Sequence, residues 1–241
     1  MAGTLAGAAP GGEWQPTLDI EGPSPQARIT VFFRAILIIP HILVLIVLHV
    51  VADVVAIIGW FAALVLGRLP DWAAGYLTGY LAWSVRVGAY GYLLVGEYPP
   101  FAWAPTDYPA RVEVRPGPLN RLAVLFRIIL IIPAAIVANV VTTGWAVAGL
   151  VIWLIVLIKG RMPVALFGAT AAVQRYWLRT QAYTLMLTSA YPKRLFGDEP
   201  EEPRASATRP LVLDGTARNL LVLFIVLGVL GALLQGSIRS L

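Results

Sequence analysis

Three ionisable side chains in and beside the first long apolar segment are the residues best suited to proton or metal chemistry. They are His41, His49 and Asp53. His49 and Asp53 share one face if the segment is a continuous helix, because they are spaced i, i+4. Two histidines and one carboxylate can in principle ligate a metal ion. A second copy of the segment has Ala134, Thr142 and Ala146 at these positions. The group is therefore a weak candidate, and we predict that the protein holds no metal and no cofactor.

Four arginines form a second group of candidates. Arg34 and Arg127 begin the long apolar segments, whereas Arg86 and Arg179 lie on segments rich in Trp and Tyr. One interpretation is that these side chains anchor the helices by reaching the polar surface of a membrane. The other is that their guanidinium groups bind lipid phosphates or the carboxylates of a partner.

Two prolines interrupt the apolar segments at equivalent positions, Pro40 and Pro133. Each removes one backbone hydrogen bond and frees the carbonyl group of Ile36 or Ile129. A kink that serves helix packing is one interpretation. The alternative is a hinge or a carbonyl site inside a helix bundle.

The sequence lacks the common signatures of catalysis. It has no cysteine, which excludes disulfides, thiolate metal sites and thiol nucleophiles. It also has no Gly-rich phosphate loop, no His-Glu-x-x-His zinc motif and no Gly-x-Ser-x-Gly motif. We therefore predict that the protein is not an enzyme.

The composition is that of a membrane protein. Hydrophobic residues make up 59% of the chain and charged residues 13%, against roughly half and a quarter in soluble domains. Segment 128–158 carries no charge, and a helix that crosses a bilayer needs about 20 apolar residues. The net charge of +5 indicates membrane topology and contact with anionic lipid rather than binding of nucleic acid.

An internal repeat fixes the organisation of the chain. The segment from Val31 to Pro40 recurs from Val124 to Pro133, at an offset of 127 − 34 = 93 residues. The same offset relates Trp60 to Trp153, and it continues without a gap as far as Tyr191 and Pro192.

Each repeat opens with an apolar segment too long for one short pass. The first, 29–66, would be about 57 Å long as a helix, nearly twice the roughly 30 Å hydrocarbon core. We expect a helical hairpin with its apex near 48–53, and near 141–146 in the second repeat; one long, tilted helix is the alternative. Arginine or lysine flanks both ends of each segment and is missing from the expected apices. By the positive-inside rule, both ends of each segment then lie in the cytoplasm.

The segments after the two hairpins are rich in Trp, Tyr and Arg, which predicts amphipathic helices on the cytoplasmic leaflet. Residues 217–238 predict one more membrane-spanning helix, giving five spans in all. Three segments alternate apolar and polar residues, which predicts a small cytoplasmic sheet of three strands at 17–21, 110–115 and 210–214. The predicted fold class is thus an all-α integral membrane protein of two tandem repeats, with short β segments.

The predicted domains follow from these boundaries. They are a tail with a strand-like segment (1–27), membrane repeat 1 (28–103), a strand-like linker (104–120), membrane repeat 2 (121–196), an acidic linker (197–216) and a C-terminal transmembrane helix (217–241). Within them, we expect 1–13 to be disordered and 198–203 to form an exposed acidic loop.

Several motifs of the first repeat resemble a known family. They are Phe33-Arg34, Pro40-His41, Trp60-Phe61, Gly67-Arg68-Leu69-Pro70, Tyr80-Leu81-Ala82-Trp83-Ser84 with Arg86, and Glu97-Tyr98-Pro99-Pro100-Phe101. Together they resemble the bacterial membrane family known as domain of unknown function four-three-eight-nine. Residues 28–103 resemble it closely, and 109–192 more loosely, since Ala134 replaces the histidine. The resemblance implies a membrane location and tandem repeats, and it implies no activity.

Two functions from different classes agree with these observations. The first is a non-catalytic scaffold or accessory subunit of a larger complex in the bacterial inner membrane, in contact with anionic lipid and another membrane protein. The second is a small transporter or channel, because transporters are often built from repeats. We favour the scaffold, since the expected spans lack ionisable residues at mid-membrane depth.

Overall fold

The structure is a computed structural model, and it describes residues 14–104, 107–199 and 206–239. Its elements, in chain order, are β1 (Thr17–Ile20), α1 (Arg28–Phe32), α2 (Arg34–Leu37), α3 (Ile39–Leu66), α4 (Asp71–Gly91), β2 (Ala110–Glu113), α5 (Arg121–Leu125), α6 (Arg127–Leu130), α7 (Ile132–Lys159), α8 (Val164–Thr184) and α9 (Gly215–Arg239). The predicted tail 1–13, residues 200–203 of the predicted acidic loop and residues 240–241 of the predicted C-terminal segment lie outside the described residues.

The elements confirm the tandem repeat. Helices α5 to α8 repeat α1 to α4, and β2 repeats β1, at one constant offset: 121 − 28 = 93, 132 − 39 = 93, 164 − 71 = 93 and 110 − 17 = 93. Helix α9 follows the second repeat and packs mainly against α7. The fold is therefore two copies of one helical unit with an added C-terminal helix.

The predicted hairpin inside each long apolar segment is wrong. Helix α3 continues unbroken through His49 and Asp53, and α7 continues through 141–146. The polar side chain that suggested an apex is bonded from a neighbouring helix, because the Tyr80 hydroxyl lies 2.9 Å from Nδ1 of His49. No chain reversal is needed to keep such a group hydrated.

The chain reverses instead after each long helix. Gly67 and Gly160 adopt left-handed φ angles of 70° and 67°, which favour glycine as the residue that ends a helix. Pro70 and Pro163 then precede α4 and α8. Within the part of the chain that the structure describes, three helices rather than five are long and apolar enough to cross a membrane: Arg34–Leu66, Ile132–Lys159 and Gly215–Leu234.

The two prolines lie in the first turn of α3 and α7. A proline costs little there, because the first N–H groups of a helix have no partner within that helix. The helical path changes just before each proline, where Ile38 and Ile131 end α2 and α6. Pro40 and Pro133 thus start the long helices rather than interrupt their middles.

The two segments predicted as amphipathic helices are helical, but α8 has no open polar face. Its Gln174, Arg175 and Arg179 are all buried. Helix α8 packs against α4, α7 and α9, and it also contacts β1. It is a central helix of the fold.

The predicted sheet has two strands among the described residues instead of three. Strands β1 and β2 are antiparallel, with Thr17 opposite Glu113 and Ile20 opposite Ala110. The third segment, 210–214, forms no strand, and the two residues just before it contact the sheet through their side chains. Arg209 pairs with Glu113 of β2. Thr208 Oγ1 accepts from the Ile20 N–H at 2.8 Å and donates to the Leu18 carbonyl at 2.9 Å. Pro210 has no N–H to give to a ladder of backbone bonds, so a paired third strand is disfavoured here.

Candidate functional site

Arg34 is buried and binds three oxygen atoms of its own repeat. Its Nη1 donates to the carbonyls of Tyr90 and Val95, each at 2.7 Å, and its Nη2 donates to Oε1 of Gln26 at 2.8 Å. The guanidinium carbon lies 4.0 Å from the centre of the Tyr90 ring. The side chain therefore fixes the turn after α4 against the start of the long helix.

Arg127 repeats this arrangement with fewer partners. Its Nη2 donates to the Thr188 carbonyl at 3.0 Å, and its guanidinium carbon lies 4.0 Å from the centre of the Tyr183 ring. Its Nε and Nη1 have no hydrogen-bond partner among the described residues. The position of Gln26 is occupied by Leu119 in this repeat, since 26 + 93 = 119. Burial lowers the pKa of Arg127.

Arg86 holds the end of the first repeat, just before the linker. Its Nη2 donates to the carbonyls of Ala102 and Trp103, at 2.7 and 3.3 Å. The Trp103 indole lies directly on Gly79, where a Cβ atom would overlap the ring. The chain at 102–103 thus runs along α4 and is bound to it by a guanidinium group and by a close ring contact.

Arg179 belongs to a larger buried cluster. Its Nε donates to the Pro16 carbonyl at 3.2 Å, and its Nη1 donates to the Lys193 carbonyl at 3.0 Å. Asp198 lies 3.6 Å from Nη2 of Arg179 and forms a second ion pair with Arg175. Burial, together with the nearby Arg175, lowers the pKa of Arg179 to about 10, although Asp198 opposes this shift.

Asp198 corrects a prediction. The sequence places it in an exposed acidic loop, but its side chain is only 10% exposed. It also accepts a hydrogen bond from the Leu211 N–H at 2.9 Å. Charge spacing on α8 reveals that Arg175 and Arg179 share a face, but no local signal identifies a carboxylate in the loop as their partner.

All four predicted arginines are therefore buried, contrary to the expectation that they face lipid headgroups. Three of them are 3–4% exposed and Arg86 is 5% exposed. The donors that have a partner are directed at backbone carbonyls of the same chain, at the Gln26 amide oxygen or at the Asp198 carboxylate. Binding of lipid or a partner by these four residues stays a prediction, and their burial does not favour it.

Five exposed basic residues lie elsewhere, at the ends of the long helices. They are Arg28, Arg68, Arg121, Lys159 and Arg161. Arg28 donates to the Ile158 carbonyl at 3.2 Å, so the start of one repeat meets the end of the other. Arg68 pairs with Asp71 at 2.9 Å.

The three ionisable residues of the first repeat do not assemble into a metal site. His41 is fully buried, with Nε2 2.9 Å from the Pro99 carbonyl and its ring stacked on Phe101 at 3.9 Å. His49 and Asp53 are 3.7 Å apart, and their side chains are 60% and 59% exposed. Among the described residues, no group of three or more His, Cys, Asp or Glu side chains could hold a metal ion.

The larger of two cavities beside the long helices lies between the repeats. It measures about 420 Å³ and is lined mostly by apolar and aromatic residues of α3, α4, α7 and α8, among them Tyr80, Tyr92, Trp145 and Trp177. Ser84, also in the lining, donates to the Tyr80 carbonyl at 2.9 Å. The smaller, about 260 Å³, is lined by Pro23, Lys159, Arg161, Met162, Pro163 and Val164.

Together these features define a helical tandem-repeat protein with internal arginine clusters and three helices long and apolar enough to cross a membrane. Residues 28–102 and 121–195 each match the family described as Domain of unknown function (DUF4389), and the chain belongs to that family. The tandem match confirms the resemblance carried by the motifs of the first repeat. No curated protein and no solved structure matches the chain.

Proposed function

We propose that the protein is a non-catalytic membrane scaffold or accessory subunit that binds a larger membrane complex. The observation that carries this proposal is the internal use of the polar groups best placed for chemistry. The arginines bind backbone carbonyls, His41 binds the Pro99 carbonyl, and Asp198 neutralises two arginines. Groups held in this way stabilise a rigid surface and are not available to activate a substrate.

The membrane location is part of the same proposal. Apolar side chains cover the open faces of α3, α7 and the described part of α9. Large exposed apolar patches mark contact with a membrane or with another protein. The exposed basic residues at the helix ends suit the phosphates of anionic lipid. We propose the bacterial inner membrane, with the N-terminal tail and the inter-repeat linkers on the cytoplasmic side.

Purification from native membranes in a mild detergent, followed by mass spectrometry, tests the proposal. We expect a second membrane protein in fixed stoichiometry. Asp198→Asn supplies a matched variant, because it disturbs the cluster that joins α8 to the chain before α9, whereas Glu199→Gln alters an exposed neighbour. Loss of the partner with Asp198→Asn but not with Glu199→Gln supports the scaffold, and a protein that purifies alone from native membranes contradicts it.

A small transporter or channel is the second candidate, and one observation favours it. The two repeats are antiparallel, because the start of each contacts the end of the other's long helix. Repeats related by an axis in the membrane plane are common among secondary transporters, so this function requires the long helices to cross the bilayer. Solute flux in proteoliposomes that contain the purified protein, lost on unfolding, would favour this function over the scaffold.

A further inference from the structure

The two repeats are related by an approximate two-fold rotation. The indole Nε1 of Trp60 donates to the Val124 carbonyl at 2.9 Å, and the equivalent Trp153 donates to the equivalent Val31 at 2.8 Å. Such reciprocal contacts define an isologous interface, in which residue i meets j and j meets i.

A second pair of bonds obeys the same rule. The Gln26 N–H donates to the Gly160 carbonyl and the Leu119 N–H to the Gly67 carbonyl, each at 2.7 Å. Since 26 + 93 = 119 and 67 + 93 = 160, these two bonds also exchange under the rotation. The start of each repeat is thus fixed to the end of the other at two points.

The rotation axis must be nearly perpendicular to α3 and α7. Val31 and Trp60 are 60 − 31 = 29 residues apart, which is about 43 Å along a helical path. Val124 is the equivalent of Val31, and a rotation leaves the height along its axis unchanged, so these two residues lie at the same height. Because Trp60 contacts Val124, Trp60 and Val31 also lie at nearly the same height along the axis. A tryptophan side chain spans only a small part of that length. The long helices therefore run in opposite directions, across the axis, and the end of each meets the start of the other repeat.

The small sheet lies on the axis. Thr17 is equivalent to Ala110 and Ile20 to Glu113, and the pairs Thr17–Glu113 and Ile20–Ala110 exchange under the rotation. Measured along the direction of α3 and α7, the centre of the sheet therefore lies at the middle of these helices. Strand β1 packs on α8, and β2 packs on α4.

The charges on the sheet exclude a membrane-crossing orientation of α3 and α7. Arg111 pairs with Glu21 at 3.3 Å, and both side chains are more than half exposed. Arg209 pairs with Glu113 at 3.1 Å, and these side chains are 39% and 34% exposed. If the long helices crossed the bilayer, these ion pairs would lie at its mid-depth. Ionised side chains are costly there, and so is irregular chain exposed to lipid.

Given the membrane location under the proposed function, we infer that α3 and α7 lie in the plane of a single leaflet. The two-fold axis is then parallel to the membrane normal. The sheet faces water, α4 and α8 form the layer beneath it, and α3 and α7 enter the hydrocarbon with their outer faces. The partner of this surface is one leaflet of anionic lipid.

The side chains of α3 agree with this orientation. Its outer face is apolar and exposed along its whole length, through Leu43, Val47, Val50, Val54 and Phe61. His49 and Asp53 lie on the side of α3 that faces α4, where His49 meets Tyr80.

The exposed cations agree as well. Arg28 and Arg68 flank the first long helix, and Arg121, Lys159 and Arg161 flank the second. Basic residues at both ends of both helices can contact phosphates of the same leaflet only if the helices lie in its plane. The positive-inside rule placed both ends of each apolar segment on the cytoplasmic side, and this placement therefore does not require a hairpin.

Two single cysteines test the inference in a chain that has none of its own. Ser24 lies at the start of the first repeat and Gly117 at the start of the second, and both are exposed. The reciprocal bonds place these two points at opposite ends of the long helices. Ser24→Cys and Gly117→Cys are expressed separately, and sealed vesicles of known orientation are treated with an impermeant thiol reagent, with detergent-opened vesicles as the control for full labelling.

We expect both cysteines to react from the same side of the membrane. Reaction from opposite sides would show that the long helices cross the bilayer and would overturn the inference, while leaving the scaffold proposal intact. A protein that carbonate washing removes from the membrane would contradict the membrane location itself, and with it both proposals.

Discussion

Arg34 and Arg127 occupy equivalent positions in the two repeats, but only Arg34 meets a side-chain oxygen. Gln26 supplies that oxygen, and its Nε2 also donates to the Leu93 carbonyl at 2.6 Å. Leu119 takes its place beside Arg127, with the same backbone bond to the opposite repeat. The Arg34 guanidinium is therefore more completely hydrogen-bonded than that of Arg127.

This asymmetry predicts that Gln26→Leu destabilises the protein. The change leaves a buried guanidinium nitrogen and a buried carbonyl without partners, which costs about 1.5–3 kcal/mol for a hydrogen bond to a charged group. Thermal unfolding in detergent measures the loss. Leu119→Gln is the matched control, because it gives Arg127 an amide oxygen and offsets the lost apolar contacts. Equal losses of stability from Gln26→Leu and Leu119→Gln would contradict the role of Gln26 as a partner of Arg34.

The sequence predicted the elements well and their arrangement poorly. The 93-residue offset, the two strands and the helices after each glycine turn are visible in residue types alone. The false turn at His49 arose because its partner, Tyr80, lies 31 positions away. The antiparallel repeats depend on indole bonds to backbone carbonyls, which leave no trace in residue identity at the acceptor.

Reciprocal bonds across the repeats predict matched losses from two tryptophan variants. Trp60→Phe and Trp153→Phe each remove one N–H donor and keep most of the aromatic surface. We expect each to lower the free energy of unfolding by about 0.5–1.5 kcal/mol, with similar values because the two bonds are equivalent. Trp72→Phe, at a tryptophan 57% exposed, is the control and should have little effect. A large loss from one variant alone would argue against the two-fold relationship.

Close packing of α9 on α7 predicts opposite effects at two helical glycines. A Cβ atom at Gly144 would overlap the carbonyl oxygen of Phe224, whereas a Cβ atom at Gly75 meets no described atom within 4 Å. Gly144→Ala should therefore separate the helices and expose α9 to limited proteolysis. Gly75→Ala should be neutral, or stabilising by up to about 1 kcal/mol through helix propensity. Equal resistance of both variants would show that the helices tolerate a wider separation.

Removal of the charge of Asp198 should be among the most damaging single changes. Asp198→Asn leaves Arg175 and Arg179 buried without their carboxylate, and breaking a buried ion pair costs about 3–5 kcal/mol. Glu199→Gln changes a side chain that is 74% exposed, so its effect should stay within about 0.5 kcal/mol. Chemical unfolding measures the free energy of unfolding of both variants. A loss of less than about 1 kcal/mol in this free energy from Asp198→Asn would mean that the two arginines are solvated.

The depth of α3 in the membrane tests the single-leaflet orientation most directly. Nitroxide labels on single cysteines at Leu43, Val47, Val54 and Phe61 report depth through the accessibility of each label to oxygen and to a polar nickel reagent. We predict that all four labels lie at one depth within a few ångströms, because the outer face of the helix lies parallel to the surface. A helix that crosses the bilayer would instead change depth by about 1.5 Å per residue, or about 27 Å between the first and last positions. A depth profile with that slope would contradict the account.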